Sequence, residues 1–249
     1  MLDMHCHIIP YTDDGALDTS TSIEMGKKAQ EVGYTGIFAT SHYIIHDNEL
    51  VYKEYINNVK KLNELFKMEN IDVKVYNGNE VFFTNNLLEL VIDKKVCTLA
   101  DSRYILVELP LFNNIVPINV YDEFNRLQDA GYIPVLAHPE RYDFVTKDIN
   151  SLVNLIESGV LIQSNIGSVS GKYGKNAKKN IKKMLKLNMV HFLGTDSHNT
   201  TVYEIYEKSL KAIKKIVKDD EILNKILIEN PNKVLNNEKI SIWYPKSSK

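Results

Sequence analysis

The chain has 249 residues, of which 44% are hydrophobic and 25% are charged, a composition typical of a globular protein with an apolar core. Its net charge of -2 gives no sign of a nucleic-acid partner, and no apolar run is long enough for membrane insertion. Two cysteines, Cys6 and Cys97, do not make a disulfide framework, and no signal peptide is recognisable, so we expect a reducing compartment, the cytoplasm.

The first predicted strand, residues 2–9, carries two histidines at alternate positions. Because side chains alternate between the two faces of a strand, His5 and His7 share one face, which is typical of half a metal site. Asp3 has the same parity and is predicted to orient one of the two imidazoles. Cys6 has the opposite parity and is predicted to pack behind the site as a small apolar residue.

Apolar strands then alternate with helices along the chain. Further strands are predicted over residues 34–40, 73–79, 104–107, 133–137, 160–164 and 190–195. Helices are predicted over 19–32, 49–67, 86–93, 118–130, 149–157, 175–187, 201–217 and 219–229, and no pattern is found in 241–249. This repetition of βαβ units indicates an α/β fold with a parallel sheet. About seven units favour a single-domain closed barrel over residues 1–249, one strand short of the eight-stranded form.

Imidazoles and carboxylates follow the ends of these strands, where α/β barrels place their active sites. The candidates are His5, His7, His42, Glu80, Glu108, His138, Asp196 and His198, with Asn165 after the sixth strand and Asp13 and Asp14 on the same rim. Clustered carboxylates repel one another, and divalent cations relieve that repulsion. Mixed imidazole and carboxylate ligands suit Mn²⁺, Zn²⁺ or iron. Their number predicts two or three ions, with Glu80 as the candidate bridge.

Adjacent metal ions lower the pKa of a shared water and hold the attacking and leaving oxygens of a phosphoryl group. Arg141 lies beside the proposed ligand His138 and could bind phosphate through two hydrogen bonds. The alternative for Arg141 is a surface ion pair with Glu140. The chain has no Cys-x5-Arg loop and no Gly-rich phosphate loop, so a cysteine-based phosphatase and a nucleotide-binding site of that type are not indicated.

The sequence also suggests roles for several other residues near these motifs. His191, inside the seventh strand, is expected to be a core histidine rather than a ligand. The lysines of the stretch from Lys172 to Lys186 are expected to form a solvated helix face, with attraction of an acidic, phosphorylated tail as the alternative. Tyr11, Tyr43 and Tyr142 flank the motifs and are candidates to contact an aromatic substrate.

Short motifs keep one order along the chain. They are DMHCHIIP at 3–10, DDGA at 13–16, TSH at 40–42, GNE at 78–80, VELP at 107–110, HPERY at 138–142, TDSHN at 195–199 and ENP at 229–231. In this set the sequence resembles the PHP (polymerase and histidinol phosphatase) superfamily of metal-dependent phosphoesterases. Within that superfamily it is similar to the bacterial protein-tyrosine phosphatase branch linked to capsular and exopolysaccharide synthesis.

The resemblance implies a distorted TIM-like barrel, the PHP fold, with a three-metal centre that is usually manganese-dependent. The implied ligands are His5, His7, Asp14, His42, Glu80, Glu108, His138, Asp196 and His198. A water activated by the metals would attack phosphorus, and Arg141 would assist at the phosphate. The implied substrate is the phosphotyrosine-rich tail of a cognate tyrosine kinase. Ser41, where the family has Pro, and Tyr11, near a family Gly, depart from the pattern and bear on substrate preference.

Three functions remain open on the sequence. The first is a metal-dependent protein-tyrosine phosphatase. The second is a small-molecule phosphatase that acts on histidinol phosphate or a nucleotide by the same chemistry. The third is a catalytically weak, metal-bound regulator that docks on a kinase, and the complete ligand set argues against it. The sequence predicts no particular oligomeric state.

Overall fold

A computed structural model of the chain describes residues 1–241 and 243. Of the segment 241–249, the structure describes only positions 241 and 243. The prediction that this segment has no helix or strand pattern therefore stays a prediction. Within the described part, none of the helices combines the length and the apolar character that crossing a membrane requires.

The described residues form nine strands in two sheets, and every pair of neighbouring strands runs parallel. The strands are β1 Leu2–Cys6, β2 Gly36–Ala39, β3 His42–Tyr43, β4 Lys74–Asn77, β5 Glu80–Phe82, β6 Tyr104–Glu108, β7 Ile133–Ala137, β8 Leu161–Asn165 and β9 Phe192–Gly194. The first sheet has the order β1-β2-β4, and the second has the order β3-β5-β6-β7-β8-β9. The predicted α/β class with parallel strands is confirmed.

Helices connect most of these strands, as the sequence pattern predicts, but β3 follows β2 directly and β5 follows β4 directly. They are α1 Thr19–Glu31, α2 Tyr52–Met68, α3 Leu87–Ile92, α4 Val120–Asp129, α5 Asp143–Lys147, α6 Asn150–Glu157, α7 Gly174–Lys186, α8 Thr201–Glu204, α9 Tyr206–Val217, α10 Asp220–Asn224 and α11 Asn230–Leu235. Asp18 caps the N-terminus of α1, since its side chain accepts a hydrogen bond from the backbone N–H of Thr21. α2 buries Tyr55, Val59, Leu62 and Phe66, a helical stripe that packs into the core.

The third predicted strand, residues 73–79, is wrong as a continuous element. It contains β4, which belongs to the first sheet and ends at Asn77, and a separate strand of the second sheet, β5, begins at Glu80, beyond the predicted range. The backbone of Glu80 donates to Thr40 at 3.2 Å at this step. At Gly78, a Cβ would lie 2.8 Å from Leu99 and 3.2 Å from the carbonyl oxygen of Ala39. Close packing at this glycine therefore accompanies the change of sheet.

The predicted closing helices, 201–217 and 219–229, are also divided. Ile205 separates α8 from α9 within the first of them. The predicted break between the two helices is confirmed, since Lys218 ends α9 with φ at 53° and the side chain of Asp219 caps α10. Residues 225–229 then form a wider π turn that leads into α11, where Pro231 occupies the first turn. α5 and α11 were not predicted because five and six residues are too few to show a helical period.

Two apolar clusters lie on opposite faces of the strands. Along β6, Ile105 and Val107 belong to the larger cluster, which the helices cover, whereas Tyr104 and Leu106 belong to the smaller one. Glu108 shares the parity of Tyr104 and Leu106. The strand face that carries the smaller cluster therefore delivers Glu108 to its carboxyl end.

Candidate metal centre

Side chains from both sheets converge at the carboxyl ends of the strands. They form four overlapping groups, and the ligating atoms of each group all lie within 4.8 Å of one another. The groups are His7, Asp14, His42 and His198; His5, Glu80 and His138; His5, His7 and Asp196; and His42, Glu80 and Glu108. The structure thus brings together every residue that the sequence analysis predicts as a metal ligand.

The imidazoles of His5, in β1, and His7, just after it, point their Nε2 atoms into this cluster, 3.1 Å from each other. Their other ring nitrogens are held from behind. Nδ1 of His5 lies 3.0 Å from Oε1 of Gln163, and Nδ1 of His7 lies 2.7 Å from Oδ2 of Asp13. Because these contacts fix both ring orientations, the Nε2 atoms are available as ligands.

The prediction that Asp3 orients an imidazole is wrong. Its Oδ1 accepts from the backbone N–H of Thr195 at 2.8 Å, and its Oδ2 accepts from the Thr195 hydroxyl at 2.6 Å. The pairing of β1 with β2 is irregular between Asp3 and Cys6, so simple alternation fails there. Asp3 instead connects β1 to the segment that follows β9. Cys6 is buried in the main apolar cluster, as predicted.

Glu80 lies at the middle of the cluster and is completely buried. Its Oε2 is 3.1 Å from His5 Nε2, 3.4 Å from His7 Nε2 and 3.2 Å from His42 Nδ1. Its Oε1 is 2.8 Å from His138 Nε2. One carboxylate therefore contacts four imidazoles, an arrangement that suits a bridging ligand.

The solvent side of the cluster is formed by Asp14, His42 and His198. Oδ1 of Asp14 lies 3.2 Å from His198 Nε2 and 3.6 Å from His42 Nε2. The Asp14 side chain is 69% exposed and that of His198 is 28% exposed. Water can reach this side of the cluster directly.

The close packing of acidic and basic side chains shifts the pKa values of these groups. Burial opposes protonation of His5, but the carboxylates of Glu80 and Asp196 outweigh it and raise the pKa of His5 to about 9. Burial, and after it the charge of Glu80, raises the pKa of Glu108 to about 8. Metal ligands bind in their deprotonated forms, so divalent cations compete with protons for these positions.

The donor set fits divalent metal ions. Among the described residues, the buried atoms His42 Nδ1 and Glu80 Oε2 have no hydrogen-bond partner, although they lie 3.2 Å apart. Two ligands that are each about 2.1 Å from one ion lie about 3.0–3.4 Å apart. The Nε2 atoms of His5 and His7 show a similar separation, 3.1 Å. A cation shared by His42 Nδ1 and Glu80 Oε2 would account for their close approach, because neither atom has a hydrogen-bond partner among the described residues.

Arg141 reaches the cluster from the turn after β7. Its Nη1 donates to Oδ2 of Asp196 at 3.0 Å, and its guanidinium carbon lies 4.7 Å from the ring centroid of Tyr173. The alternative of a surface ion pair with Glu140 is wrong, because Glu140 is buried and accepts from the backbone N–H of Asn165 at 2.8 Å. A cationic group is therefore held beside the cluster by a carboxylate and an aromatic face.

Oδ2 of Asp196 accepts hydrogen bonds from three side chains. Besides Arg141, the donors are the Asn165 amide at 2.6 Å and the Tyr173 hydroxyl at 3.1 Å. Asn165 was noted at its strand end, but Tyr173 was missed because it lies in a lysine-rich segment away from any strand. With Oδ2 occupied, Oδ1 is the atom that faces His7, at 3.4 Å.

A family model described as capsular polysaccharide synthesis, CpsB/CapC, matches residues 1–236. The chain belongs to the CpsB/CapC family. CapC of Staphylococcus aureus is 34% identical to it, over 98% of this chain and 95% of CapC. Tyrosine-protein phosphatase YwqE of Bacillus subtilis (strain 168) is 34% identical, over 96% of this chain and 93% of YwqE. Tyrosine-protein phosphatase CpsB of Streptococcus pneumoniae is 27% identical, over 96% of this chain and 100% of CpsB.

Solved structures agree with the family assignment. One solved structure matches with a TM-score of 0.91 and 31% identity over 100% of both chains. It is described as YwqE from Bacillus subtilis and CpsB from Streptococcus pneumoniae, unique metal-dependent tyrosine phosphatases. Histidinol phosphate phosphatase from Lactococcus lactis matches with a TM-score of 0.54 and 17% identity, which shows a shared fold alone. The resemblance to the capsule-linked branch of the PHP superfamily is confirmed.

An open cavity of about 1150 Å³ leads from solvent to the cluster in this CpsB/CapC chain, and Tyr11 lines it. Tyr11 is 74% exposed, so it stays a candidate for substrate contact. Tyr43 and Tyr142 are buried, which contradicts that role for them. The Tyr142 hydroxyl donates to the carbonyl of Ala137 at 2.8 Å and accepts from the N–H of Leu109 at 2.9 Å.

Two further predictions for the CpsB/CapC chain concern residues outside the cluster. His191 is a core histidine, as predicted, since it is fully buried and its Nδ1 accepts from the N–H of Ile162 at 3.0 Å. The helix of the lysine-rich stretch, α7, buries Ile181 and Met184 and leaves most of its lysines exposed or half-buried. This arrangement agrees with a solvated helix face.

Proposed function

We propose that this chain is a metal-dependent protein-tyrosine phosphatase that acts in capsular polysaccharide synthesis. The observation that carries the proposal is the convergence of imidazoles and carboxylates around Glu80, with Arg141 beside them at the base of an open cavity. Relatives that match nearly the whole chain are named tyrosine-protein phosphatases. As the substrate we propose a phosphotyrosine protein, specifically the tail of a cognate tyrosine kinase.

We further propose two or three divalent ions, with manganese first and iron or zinc as alternatives. The proposed ligands are His5, His7, Asp14, His42, Glu80, Glu108, His138, Asp196 and His198, in the four groups described above. When bound, such ions act as Lewis acids on the phosphoryl oxygens and lower the pKa of a coordinated water. The central, buried position of Glu80 supports a bridging role for its carboxylate.

Arg141 is the proposed phosphate-binding residue. Its side chain is 24% exposed and lines the cavity, so part of the guanidinium is open to a ligand. The ion pair with Asp196 and the ring of Tyr173 hold the guanidinium at the base of the cavity. Two parallel N–H groups can then bind the phosphoryl oxygens and offset the charge that develops on them.

Neither cysteine is suited to act as the nucleophile. Both thiols are buried, and burial raises the pKa of Cys97 to about 12 and that of Cys6 further. The thiolate is the reactive form, and it is scarce at neutral pH when the pKa is raised this far. We therefore propose that turnover is insensitive to thiol alkylation, in contrast to cysteine-based phosphatases.

We also propose that residues 1–249 form one domain in which the two sheets close into a distorted barrel. The main apolar cluster extends from Cys6 to Ile226. β1 meets the segment just after β9, where the N–H of Asp196 donates to the carbonyl of His5 at 2.7 Å. These contacts support closure between the first and last strands.

The test is turnover by the purified chain supplied with Mn²⁺. We expect hydrolysis of a phosphotyrosine peptide, loss of turnover on chelation and recovery when the metal is restored. The phosphoserine peptide of the same sequence and histidinol phosphate are the matched substrates. Faster turnover of histidinol phosphate would assign a small-molecule phosphatase. Kinase binding without turnover of any phosphoester would assign a docking regulator.

A further inference from the structure

The loop between β6 and α4, residues 109–119, follows directly after Glu108 at the metal centre. We call it the rim loop. Its sequence, LPLFNNIVPIN, contains no charged residue, although 25% of the whole chain is charged. An uncharged run of this kind in a surface loop is unusual, because loops are generally polar and solvated.

The rim loop displays large apolar side chains to solvent. Phe112 and Ile118 are each 87% exposed, and Ile115 is 61% exposed. Leu109 is fully buried, and Leu111 packs against the main apolar cluster. The loop is thus anchored by one set of apolar residues while it presents another set outward. Exposed apolar groups concentrated in one short segment mark a binding surface more often than a chance feature.

The rim loop is continuous with the reaction site. Phe112 lines the same cavity as His42, Glu108 and Arg141, and Tyr11 contributes to this lining as well. The cavity volume of about 1150 Å³ exceeds the roughly 300–1,000 Å³ that is usual for a site enclosing one small molecule. A phosphotyrosyl side chain that reaches the metal ligands therefore leaves room for the residues on either side of it. The residues that flank the phosphotyrosine would lie beside Phe112.

We propose that the rim loop is the docking surface for the substrate polypeptide that flanks the phosphotyrosine, and that it selects uncharged, apolar flanks. This inference rests on the proposed function. Arg141 and the metal centre meet the charge of the phosphate at the base of the cavity. The rim loop has no charge with which to attract acidic or basic residues of the substrate. Apolar residues of the substrate can pack on Phe112, Ile115 and Ile118, and burial of this apolar surface favours binding. Charged flanks would be desolvated there without a partner.

The experiment compares a phosphotyrosine peptide that has leucine and phenylalanine flanks with p-nitrophenyl phosphate, which has no flanks. In the variant Phe112→Ser/Ile118→Ser we expect the ratio of kcat/KM for the peptide to kcat/KM for the small substrate to fall about tenfold, mainly through KM. Ile92→Ser on α3 is the matched control, since Ile92 is 61% exposed and lies outside the cavity lining. The control is expected to keep the wild-type ratio.

A second comparison uses the same peptide with aspartate and glutamate flanks. The wild-type chain is expected to prefer the apolar peptide, and the double variant is expected to lose that preference. An unchanged ratio in the double variant, or equal losses on both substrates, would overturn the docking role. A change from dimer to monomer on size exclusion in the variant would assign the loop to contact between copies and would also overturn it.

Failure of the proposed function gives a different result. In that case the wild-type chain would hydrolyse no phosphotyrosine peptide with any divalent metal, whatever the flanks, and both proposals would fall. Peptide turnover by the wild type that the double variant fully retains would remove the docking surface alone. Because the substituted side chains are largely exposed, the variants are expected to fold, and circular dichroism with thermal unfolding checks this.

Discussion

The inner and outer sides of the metal cluster differ in how their side chains are held. His5, His7 and Glu80 are completely buried, and Gln163 and Asp13 fix the two imidazoles from behind. On the outer side, Asp14 is 69% exposed. Water can replace a lost ligand on the outer side, but a lost ligand inside leaves its buried partners unsatisfied. We therefore expect the inner side to set whether metal binds at all, and the outer side to set how tightly metal binds and how fast the enzyme turns over.

The largest effect is expected for Glu80→Gln. This change removes the carboxylate that four imidazoles share and leaves an amide in its place. We expect a loss of at least about 10³-fold in kcat/KM together with reduced metal content, because the charge that holds adjacent cations together is gone. Elemental analysis and phosphotyrosine-peptide turnover measure both effects. Full metal content with wild-type turnover would contradict the bridging role.

Arg141→Ala separates phosphate binding from metal binding. We expect kcat/KM to fall about 10²–10³-fold, the usual effect of losing one group that stabilises charge in the transition state. Metal content is expected to stay at the wild-type level, because Asn165 and Tyr173 still donate to Asp196. Arg141→Lys keeps the charge without the bidentate geometry, so its kcat/KM should lie between those of the wild type and Arg141→Ala. A parallel loss of metal in Arg141→Ala would place this residue among the supports of the centre instead.

A smaller effect is expected on the outer side. Asp14→Asn removes one exposed carboxylate beside His42 and His198. We predict a drop of about 10–100-fold in turnover at limiting Mn²⁺, largely restored when Mn²⁺ is raised, since loss of metal affinity is of this order. A titration of activity against Mn²⁺ measures this drop. Glu80→Gln is the comparison variant, because excess metal should not restore its activity. Complete inactivity of Asp14→Asn at all metal concentrations would remove the difference between the two sides.

The buried imidazole of His191, away from the carboxylates, behaves in the opposite way to that of His5. His5 has its pKa raised to about 9 by its neighbours, whereas burial alone lowers the pKa of His191 to about 3. Between that value and the unfolded pKa of about 6.5, the unfolded chain binds the extra proton, so stability falls as the pH falls. At pH 5 the loss attributable to His191 is about 2 kcal/mol.

Denaturant unfolding at pH 7 and pH 5 tests this. In His191→Gln we expect the acid-induced loss of unfolding free energy to shrink by about 2 kcal/mol relative to the wild type. His46→Gln is the control, because the His46 side chain is 92% exposed. An equal loss in the His191 variant and the wild type would show that this imidazole does not contribute to acid sensitivity.

The sequence predicts the ligands of the centre better than their supports. Strand ends and residue type were enough to predict that His5 and His138 converge, because parallel strands bring their carboxyl ends to one edge. Glu80 joins them although it begins β5 and does not end the predicted strand. The support from Gln163 was missed because it lies 158 residues from His5 and its amide has no distinctive spacing. Tyr173 was missed because it lies in a lysine-rich segment away from any strand. Parity misassigned Asp3, because the irregular pairing of β1 changes what its side chain meets.

The contact between Asp3 and Thr195 joins residues that are 192 positions apart. During synthesis the ribosome delivers β1 first and the segment after β9 near the end, so the nascent chain exposes His5 and His7 long before Asp196 can join them. A translation product halted before that segment would lack a complete cation site and would be inert towards phosphoesters. The contact between Asp3 and Thr195 therefore forms only after most of the chain has been synthesised.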